Sequence, residues 1–517
     1  MTSHLQPSAE QLLRQVASLT KEKALQAERI QQLQQQLNWF KRQLFGQKSE
    51  KRLEIDPAIQ QSLFDGLLPK EEKPEPPCQD VAAHKRKGKV RDGCSTETGL
   101  RFDDNVPVKV VEVLPNELKG DKANNYEIIS YKTHYLLAQQ QASFVVIEER
   151  RPVIKEISTE KLITTPAPSR VLDNSLADVS FLAGMLVDKF LYHLPLYRQH
   201  QRLTEAGITL SRSLLTQLTA KAIALLKPIA DAQYQSVLMS QVLAIDETPI
   251  KAGRKAPGKM KQGYFWPMYG DQGEIIFHYC SSRSGQHLES LLGNFQGTLL
   301  TDGYAAYERY AAKSSSITHA QCWAHTRRGF EKALAIEPEA AGEALAIIGE
   351  LYRYEESIRE SKLTGEAKKH YRQTQSEAVV KAFWRWCDQQ CQRLDLVPSN
   401  PLSRALKYAM ERIDALEVFL SDPEVAIDTN HLERGLRPIP MGKKNWLFCW
   451  TESGAEDVAT IQSLLATCRL HNVNAYTYLV DVLQRVSHHP AKDVHLLTPR
   501  LWKRHFSGEP MRSVIEE

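Results

Sequence analysis

Apolar side chains recur at heptad spacing near the start of the chain. Leu12, Val16, Leu19, Ile30, Leu33, Leu37, Phe40 and Leu44 fill eight of ten seam positions, with Lys23 and Gln26 in the middle. The stripe is narrow and its flanks are polar, which predicts a coiled coil over residues 8–50 and, through it, a homo-oligomer. Residues 51–99 lose the period. Pro69, Pro74, Pro76 and Pro77 stand among charges, and His84 to Arg91 is strongly basic. Such a stretch cannot bury enough apolar surface to order itself, so it reads as a linker whose basic end is a solvated tether or a phosphate contact.

Alternation with period two then takes over, as in Val106 to Val113 and Ser143 to Glu148, and predicts a small β module over 100–165. Helical periods follow at Val179 to Phe190, Leu196 to Ala206 and Ser211 to Leu226. The short turn Ala206-Gly207-Ile208-Thr209 makes residues 175–235 a helix-turn-helix-like region, with Arg212, Ser213, Thr216 and Gln217 free to enter a DNA groove; Arg212 and Gln217 are its candidate DNA contacts.

From Ser240 to Cys322 the pattern is strand (Val242 to Asp246), strand (Gly263 to Tyr269), strand (Glu274 to Tyr279), helix, strand (Thr298 to Thr301), helix and strand (Ser316 to Gln321). That is the order of a ribonuclease-H-like core. The expected architecture is multidomain α/β: the core's first part at 240–330, a helical insertion at 331–422, its second part at 423–485 and a tail at 486–517.

Composition changes this picture little. The 517 residues are enough for several domains, and 66 Lys+Arg against 62 Asp+Glu leave only local clusters of charge to attract nucleic acid. The start lacks a basic segment followed by an apolar run, and the apolar stretch near Phe181 to Phe190 is interrupted by Asp188 and Lys189, so neither a signal peptide nor a membrane span is expected. Eight irregularly spaced cysteines fit a reducing compartment, the cytoplasm.

Candidate chemistry sits at the ends of the apolar strands. Asp246 and Asp302 each follow one, 56 residues apart, which leaves room for both to meet at one sheet edge. Glu433 lies 131 residues further on, a gap that an insertion explains. Three carboxylates from separate elements suit a pair of Mg²⁺ or Mn²⁺ ions in phosphoryl transfer. Asn430, Glu433 and Arg437 fall on one helical face, and Asp428 is the runner-up for the third acid. Glu247 is set aside, since on an extended strand it points away from Asp246.

Cys322 and His325 are too few for a closed zinc site and read as structural neighbours of the acids. Arg327 and Arg328 suit phosphate oxygens. Lys443, Lys444 and Trp446 combine backbone contacts with a ring able to stack on a base.

Several segments carry a resemblance. Leu44-Phe45-Gly46-Gln47-Lys48-Ser49-Glu50, His193-Leu194-Pro195-Leu196-Tyr197-Arg198-Gln199, Asp246-Glu247-Thr248-Pro249, Thr301-Asp302-Gly303-Tyr304, Cys322-Trp323-Ala324-His325 and the run from Glu433-Arg434 through Gly442-Lys443-Lys444-Asn445-Trp446-Leu447-Phe448 occur in this order. The chain resembles transposases of the insertion sequence 66 family, of the large TnpC type. The resemblance implies a DDE transposase with Asp246, Asp302 and Glu433 as metal ligands, acting on the terminal inverted repeats of its element and on target DNA, with small accessory proteins as partners. It also implies a zinc module of paired cysteines ahead of the helical region, but Leu100 to Ile154 contains no cysteine, which counts against zinc there. The competing expectations are a ribonuclease-H-like nuclease that cuts without joining and a transposase-derived DNA-binding protein without activity.

Overall fold

The computed structural model describes residues 100–516 except 105, 119–124 and 141–142. The coiled coil and linker expected over 8–99 therefore lie outside the described residues. What is described is mixed α/β.

Strand β1 (Arg101–Phe102) comes first and pairs far along the chain, as shown below. The small β module is a four-stranded sheet. Strand β2 (Val108–Glu112) runs parallel to β4 (Ser143–Glu156), and β3 (Tyr126–Gln140) and β5 (Leu162–Thr164) run antiparallel to β4.

Helix α1 (Val179–Phe190) is buried along almost its whole length, and Asp178 caps it by accepting the Ser180 N–H at 2.9 Å. Helix α2 (Leu196–Glu205), strand β6 (Ile208–Thr209) and α3 (Arg212–Leu238) follow. Ile208-Thr209 is more than a turn: it pairs with Arg101-Phe102 of β1 and so ties the start of the β module to the helices. Helix α3 continues twelve residues beyond the expected end at Leu226, through Pro228. Its later turns, with Ile229, Ala230, Gln233 and Val237 buried, pack against the next sheet.

That sheet places the site. Its strands are β7 (Val242–Ile245), β8 (Thr248–Ala256), β9 (Lys259–Gly270), β10 (Ile275–Cys280), β11 (Gly297–Thr301) and β12 (Ile317–Gln321). The order is β10-β9-β7-β11-β12, with β8 also on β9. Strand β9 is antiparallel to its neighbours, while β7, β11 and β12 are parallel to one another. Strand β7 is buried at every residue, as an apolar run covered on both faces should be.

Strand β8 was not expected from the sequence. Its register on β9 continues that of β7: Ile245 faces Met268 and Thr248 faces Phe265, so β7 and β8 are one chain direction interrupted at Asp246-Glu247. The cause lies across the ladder. Asp246 donates its N–H to the Pro267 carbonyl at 3.3 Å, but Pro267 has no N–H to return.

Helices cover the sheet. Helices α4 (Gly285–Leu292) and α5 (Ala305–Ala311) flank β11, and α6 (Trp323–Ala333) leaves β12. The expected insertion is α7 (Pro338–Glu360), α8 (Gly365–Tyr371), a π-turn over Arg372–Ser376, α9 (Glu377–Cys391), α10 (Pro401–Met410) and α11 (Ile413–Ser421). Trp323, Phe330, Phe383, Trp384, Trp386 and Phe419 interlock in its core.

The chain returns through α12 (Asn430–Leu436) and α13 (Pro438–Trp446), and α14 (Glu452–Leu470) covers edge strand β10. Hydroxyls on α14 satisfy that edge: Phe277 N–H donates to Ser463 Oγ at 2.8 Å and Ile275 N–H to Thr467 Oγ1 at 3.2 Å. Helix α15 (Ala475–Arg485) completes this layer. Residues 486–516, read as a tail, include α16 (Pro499–His505), anchored where the Trp502 indole donates to Asp481 at 2.9 Å. No described helix is long and apolar enough to cross a membrane.

Candidate active site

The register of the parallel strands brings two of the expected acids together. Ala244 faces Leu300, and Thr301 faces Gln321. Continuing each pairing along the chain sets Asp246 beside Asp302 and Asp302 beside Cys322, at the C-terminal ends of adjacent strands roughly 5 Å apart. Crevices beyond such ends are where open α/β sheets bind ligands.

Local bonds hold both aspartates. Asp246 Oδ1 accepts the Glu247 N–H at 2.7 Å, and Asp302 Oδ1 accepts the Tyr304 N–H at 2.9 Å. Gly303 is needed because a Cβ there would lie 2.4 Å from the Tyr408 ring.

A third acid joins them, and it is Glu247. Ligand oxygens of Asp246, Glu247 and Asp302 all lie within 4.8 Å of one another. The expectation that Glu247 points away fails: its oxygens lie with those of the two aspartates where the ladder is interrupted, opposite Pro267. The Glu247 carboxylate is 3% exposed and is held by the Tyr307 hydroxyl and the Arg283 guanidinium. Arg283 in turn lies 3.9 Å over the Tyr304 ring, so the sequence reading missed an anchored cation as well as an acid. The Asp-Glu doublet was the available signal for the acid.

Glu433 stands in the first turn of α12, its carboxylate 30% exposed and bonded to Arg328 Nη2 at 2.5 Å. Its charge nevertheless reaches Asp246. Burial, then the charges of Glu247, Asp302 and Glu433, push the Asp246 carboxyl up to about 7 against the pull of the Glu247 N–H. Burial also pushes Glu247 up. Asp428, the runner-up, stands one residue ahead of the helix cap Thr429 and accepts the Asn430 N–H at 3.0 Å and the Asn430 amide at 2.5 Å. Arg437 keeps helical dihedrals at the joint between α12 and α13, ahead of Pro438.

Cys322 and His325 stand at the N-terminal end of α6. Cys322 Sγ accepts both the N–H and the hydroxyl of Thr429 at 3.3 Å, and Trp323 N–H donates to the Ile427 carbonyl at 3.0 Å. These bonds tie β12 to the approach to α12 and hence to Glu433. Burial pushes the Cys322 thiol up, which keeps it a thiol. His325 Nε2 lies 3.1 Å from Arg328 Nη1, and burial together with that guanidinium pushes the imidazole down, leaving a neutral ring able to accept the bond.

The cations fall in several places. A cavity of about 730 Å³ beside the acids is lined by Arg283, Asp302, His325, Arg328, Lys332 and Arg404, so positive groups outnumber carboxylates there. Arg327 is bonded to Glu331. Lys444 is exposed, and Lys443 Nζ donates to the Pro249 carbonyl at 3.0 Å. Trp446 is half-buried with its indole against Gly442, where a Cβ would lie 2.6 Å from Nε1; the ring exposed in this region is Trp450. Arg212 and Gln217 are exposed on the first turns of α3, well separated in sequence from the acids.

Buried hard oxygens that repel one another fit a divalent cation. The proton on Asp246 gives this a measurable sign. The folded value of about 7 lies above the unfolded value of about 3.9. The resulting stability is therefore complete below pH ~4 and lost as pH rises through about 7, by at most about 4 kcal/mol. A divalent ion competes with that proton, so Mn²⁺ should raise the melting temperature more at pH 8 than at pH 5.5. Equal shifts at both pH values, or the same pH dependence in Asp246→Asn, would count against the cluster as a cation site.

Residues 174–457 match the family model described as "Transposase IS66 family", 463–499 the "IS66 C-terminal element" and 32–111 the "Transposase C of IS166 homeodomain". Three proteins of Sinorhizobium fredii, each described as uncharacterized, are similar. Identity to y4hP is 31%, covering 70% of this chain and 69% of that protein. Identity to y4qI is 29%, covering 76% and 75%, and to y4jD 30%, covering 67% and 70%.

Proposed function

The chain belongs to the insertion sequence 66 transposase family, and from that premise we propose that it cuts DNA at the ends of its own element and joins them to target DNA by phosphoryl transfer at Asp246, Asp302 and Glu433. The observation that carries this reading is the side-by-side placement of Asp246 and Asp302 by parallel register, with the charge of Glu433 reaching Asp246. The order β10-β9-β7-β11-β12, with only β9 antiparallel to its neighbours, supports reading the sheet as a ribonuclease-H-like core.

Asp246, Asp302 and Glu433 would hold Mg²⁺ or Mn²⁺, with Glu247 as a fourth carboxylate in reach. When bound, two such ions would activate the attacking oxygen and stabilise the leaving one. Glu433 is held by Arg328, so it must turn from that partner to join the aspartates, which leaves the Arg328 guanidinium free for a phosphate. Arg283 needs no such change, being fixed by Glu247 and Tyr304 at the cavity.

In cutting, a water oxygen bonds to phosphorus while the 3′-oxygen leaves and takes a proton. In joining, that 3′-oxygen bonds to a target phosphorus and displaces the target's own 3′-oxygen. One phosphodiester replaces another, so no nucleotide cofactor and no covalent protein intermediate is needed. Arg327, Arg437, Lys443 and Lys444 would steady the backbone, and Arg212 and Gln217 would read the inverted repeats. Pairing of two ends would come from a homo-oligomer through residues 8–50, with accessory proteins in the cytoplasm.

Incubation of the full chain with labelled element-end DNA and Mn²⁺ is expected to give joined strands. Cleavage alone would reduce the reading to a nuclease, and neither product would leave only a DNA-binding protein.

A further inference from the structure

A chain with nearly balanced charge carries its excess in local clusters, and the described residues hold one of them. The hairpin segment 248–262 carries Lys251, Arg254, Lys255, Lys259 and Lys261 and no acid; residues 437–451 add Arg437, Lys443 and Lys444, again without an acid. The two stretches are laced together. Cys449 N–H donates to the Lys251 carbonyl at 2.9 Å, Gly253 N–H to the Cys449 carbonyl at 3.1 Å, and Lys443 Nζ reaches the Pro249 carbonyl. Sequence separation therefore hides a single surface.

All five hairpin cations are exposed. Lys261 is paired with Glu452 at 2.7 Å, while Lys251, Arg254, Lys255 and Lys259 have no carboxylate partner among the described residues. Like charges gathered on two adjacent strands repel, and a polyanion relieves that repulsion.

Beside them Trp450 is 62% exposed and Leu447 is 64% exposed. The Arg254 guanidinium lies 5.0 Å over the Trp450 ring, and the Phe448 ring centre is 5.2 Å away. An indole propped upright by a cation and a neighbouring ring is a platform for a base.

The direction of the hairpin decides what it can hold. Strand β8 continues β7 past Asp246, and at about 3.3 Å per residue Lys251 lies roughly 16 Å from that acid; register shifts between Lys251, Arg254 and Ala256 shorten the rest, so the turn at Pro257-Gly258 lies at most roughly 36 Å away, within one turn of duplex DNA.

We propose that the β8–β9 hairpin and the Leu447–Trp450 loop form a DNA-gripping arm, its cations on phosphates up to about one helical turn from the acidic cluster and Trp450 stacked on a base unpaired at the cut end. This deepens, and rests on, the transposase reading.

The test uses the full chain in EDTA and a fluorescein-labelled 30-base-pair duplex of mixed sequence, with anisotropy read across a salt series. Arg254→Gln/Lys255→Gln/Lys259→Gln should flatten the slope of log affinity against log salt by about 2–3, near 0.9 per phosphate released, and weaken binding at least about tenfold. The charge-keeping Arg254→Lys/Lys255→Arg/Lys259→Arg should retain the slope. Lys362→Gln/Lys381→Gln/Lys407→Gln, on the helical insertion, should also retain it. An unchanged slope in the first variant, or equal losses in the first and third, would overturn the arm.

For the platform, a duplex with an unpaired terminal 2-aminopurine should be quenched by the wild type and not by Trp450→Ala, while blunt duplex binds both. Quenching kept in Trp450→Ala would overturn the stacking. Joining of end DNA is scored separately: an arm variant that loses salt slope in a wild type that neither cuts nor joins would sink the transposase reading and leave the arm standing.

Discussion

Asp246→Asn is expected to lower strand cleavage and joining by about 10³-fold or more while leaving DNA binding intact, a barrier increase of about 4 kcal/mol. The substitution keeps the shape of the side chain, and the asparagine oxygen can still accept the Glu247 N–H that Asp246 accepts at 2.7 Å. What it removes is a charge at the centre of the cluster, one whose neighbours Glu247, Asp302 and Glu433 all disfavour it. In the absence of divalent ions the variant should therefore melt at the same temperature as the wild type or higher. Rapid-quench cleavage assays beside thermal melts measure both sides. A variant that still cuts within tenfold of wild type would remove Asp246 from the reaction. One that loses activity only by unfolding would show a lowered melting temperature.

The second large effect is structural. Arg372 is fully buried at the start of the π-turn. Its guanidinium donates twice to Glu355, at 2.7 and 2.8 Å, and Nη1 donates to the Phe419 carbonyl at 2.8 Å and the Val425 carbonyl at 2.9 Å. One side chain thus ties α7 to the end of α11 and to the stretch that leads into Asp428 and Glu433. Arg372→Ala strands a carboxylate and takes a donor from the carbonyls of Phe419, Asp422 and Val425, and should cost about 3–5 kcal/mol. Arg372→Lys should recover little, because an ammonium cannot reproduce the planar fork. Urea midpoints at constant slope measure the loss. A change below about 1 kcal/mol, or full recovery with lysine, would show that the fork does not hold this segment.

Physical reasons separate what the sequence made visible from what it did not. The apolar runs Val242 to Ile245 and Thr298 to Thr301 were readable because buried parallel strands need continuous apolar side chains, and each run ends on its aspartate. The 131-residue gap before Glu433 is occupied by α5, β12 and then helices α6 to α11, whose aromatic core gives them a periodic pattern of their own. Strand β8 was not legible, since Pro249 and a dense set of cations replace the apolar alternation that marks a strand, and only pairing with β9 makes it one. Glu247 was misjudged because a strand pattern does not show that the ladder is interrupted there, opposite Pro267, a residue across the sheet and twenty positions away. Trp446 is the ring the sequence offers for stacking, but its indole lies on Gly442, whereas Trp450, which no motif marked, is 62% exposed. Asp428 spends its oxygens on Asn430, a local turn contact that a sequence does not distinguish from ligation.

The long excursion between β12 and α12 also has a consequence for synthesis. A ribosome moving at roughly 5–20 residues per second needs about 7–26 s to pass from Asp302 to Glu433. During that interval the two aspartates and Glu247 exist without Glu433, and the bonds from Thr429 to Cys322 that tie its approach to β12 are not yet possible. A nascent chain therefore carries Asp246 and Asp302 without Glu433 for that whole interval, and on the proposed reading DNA near the place of translation meets no finished cutting centre until the helical excursion has been made.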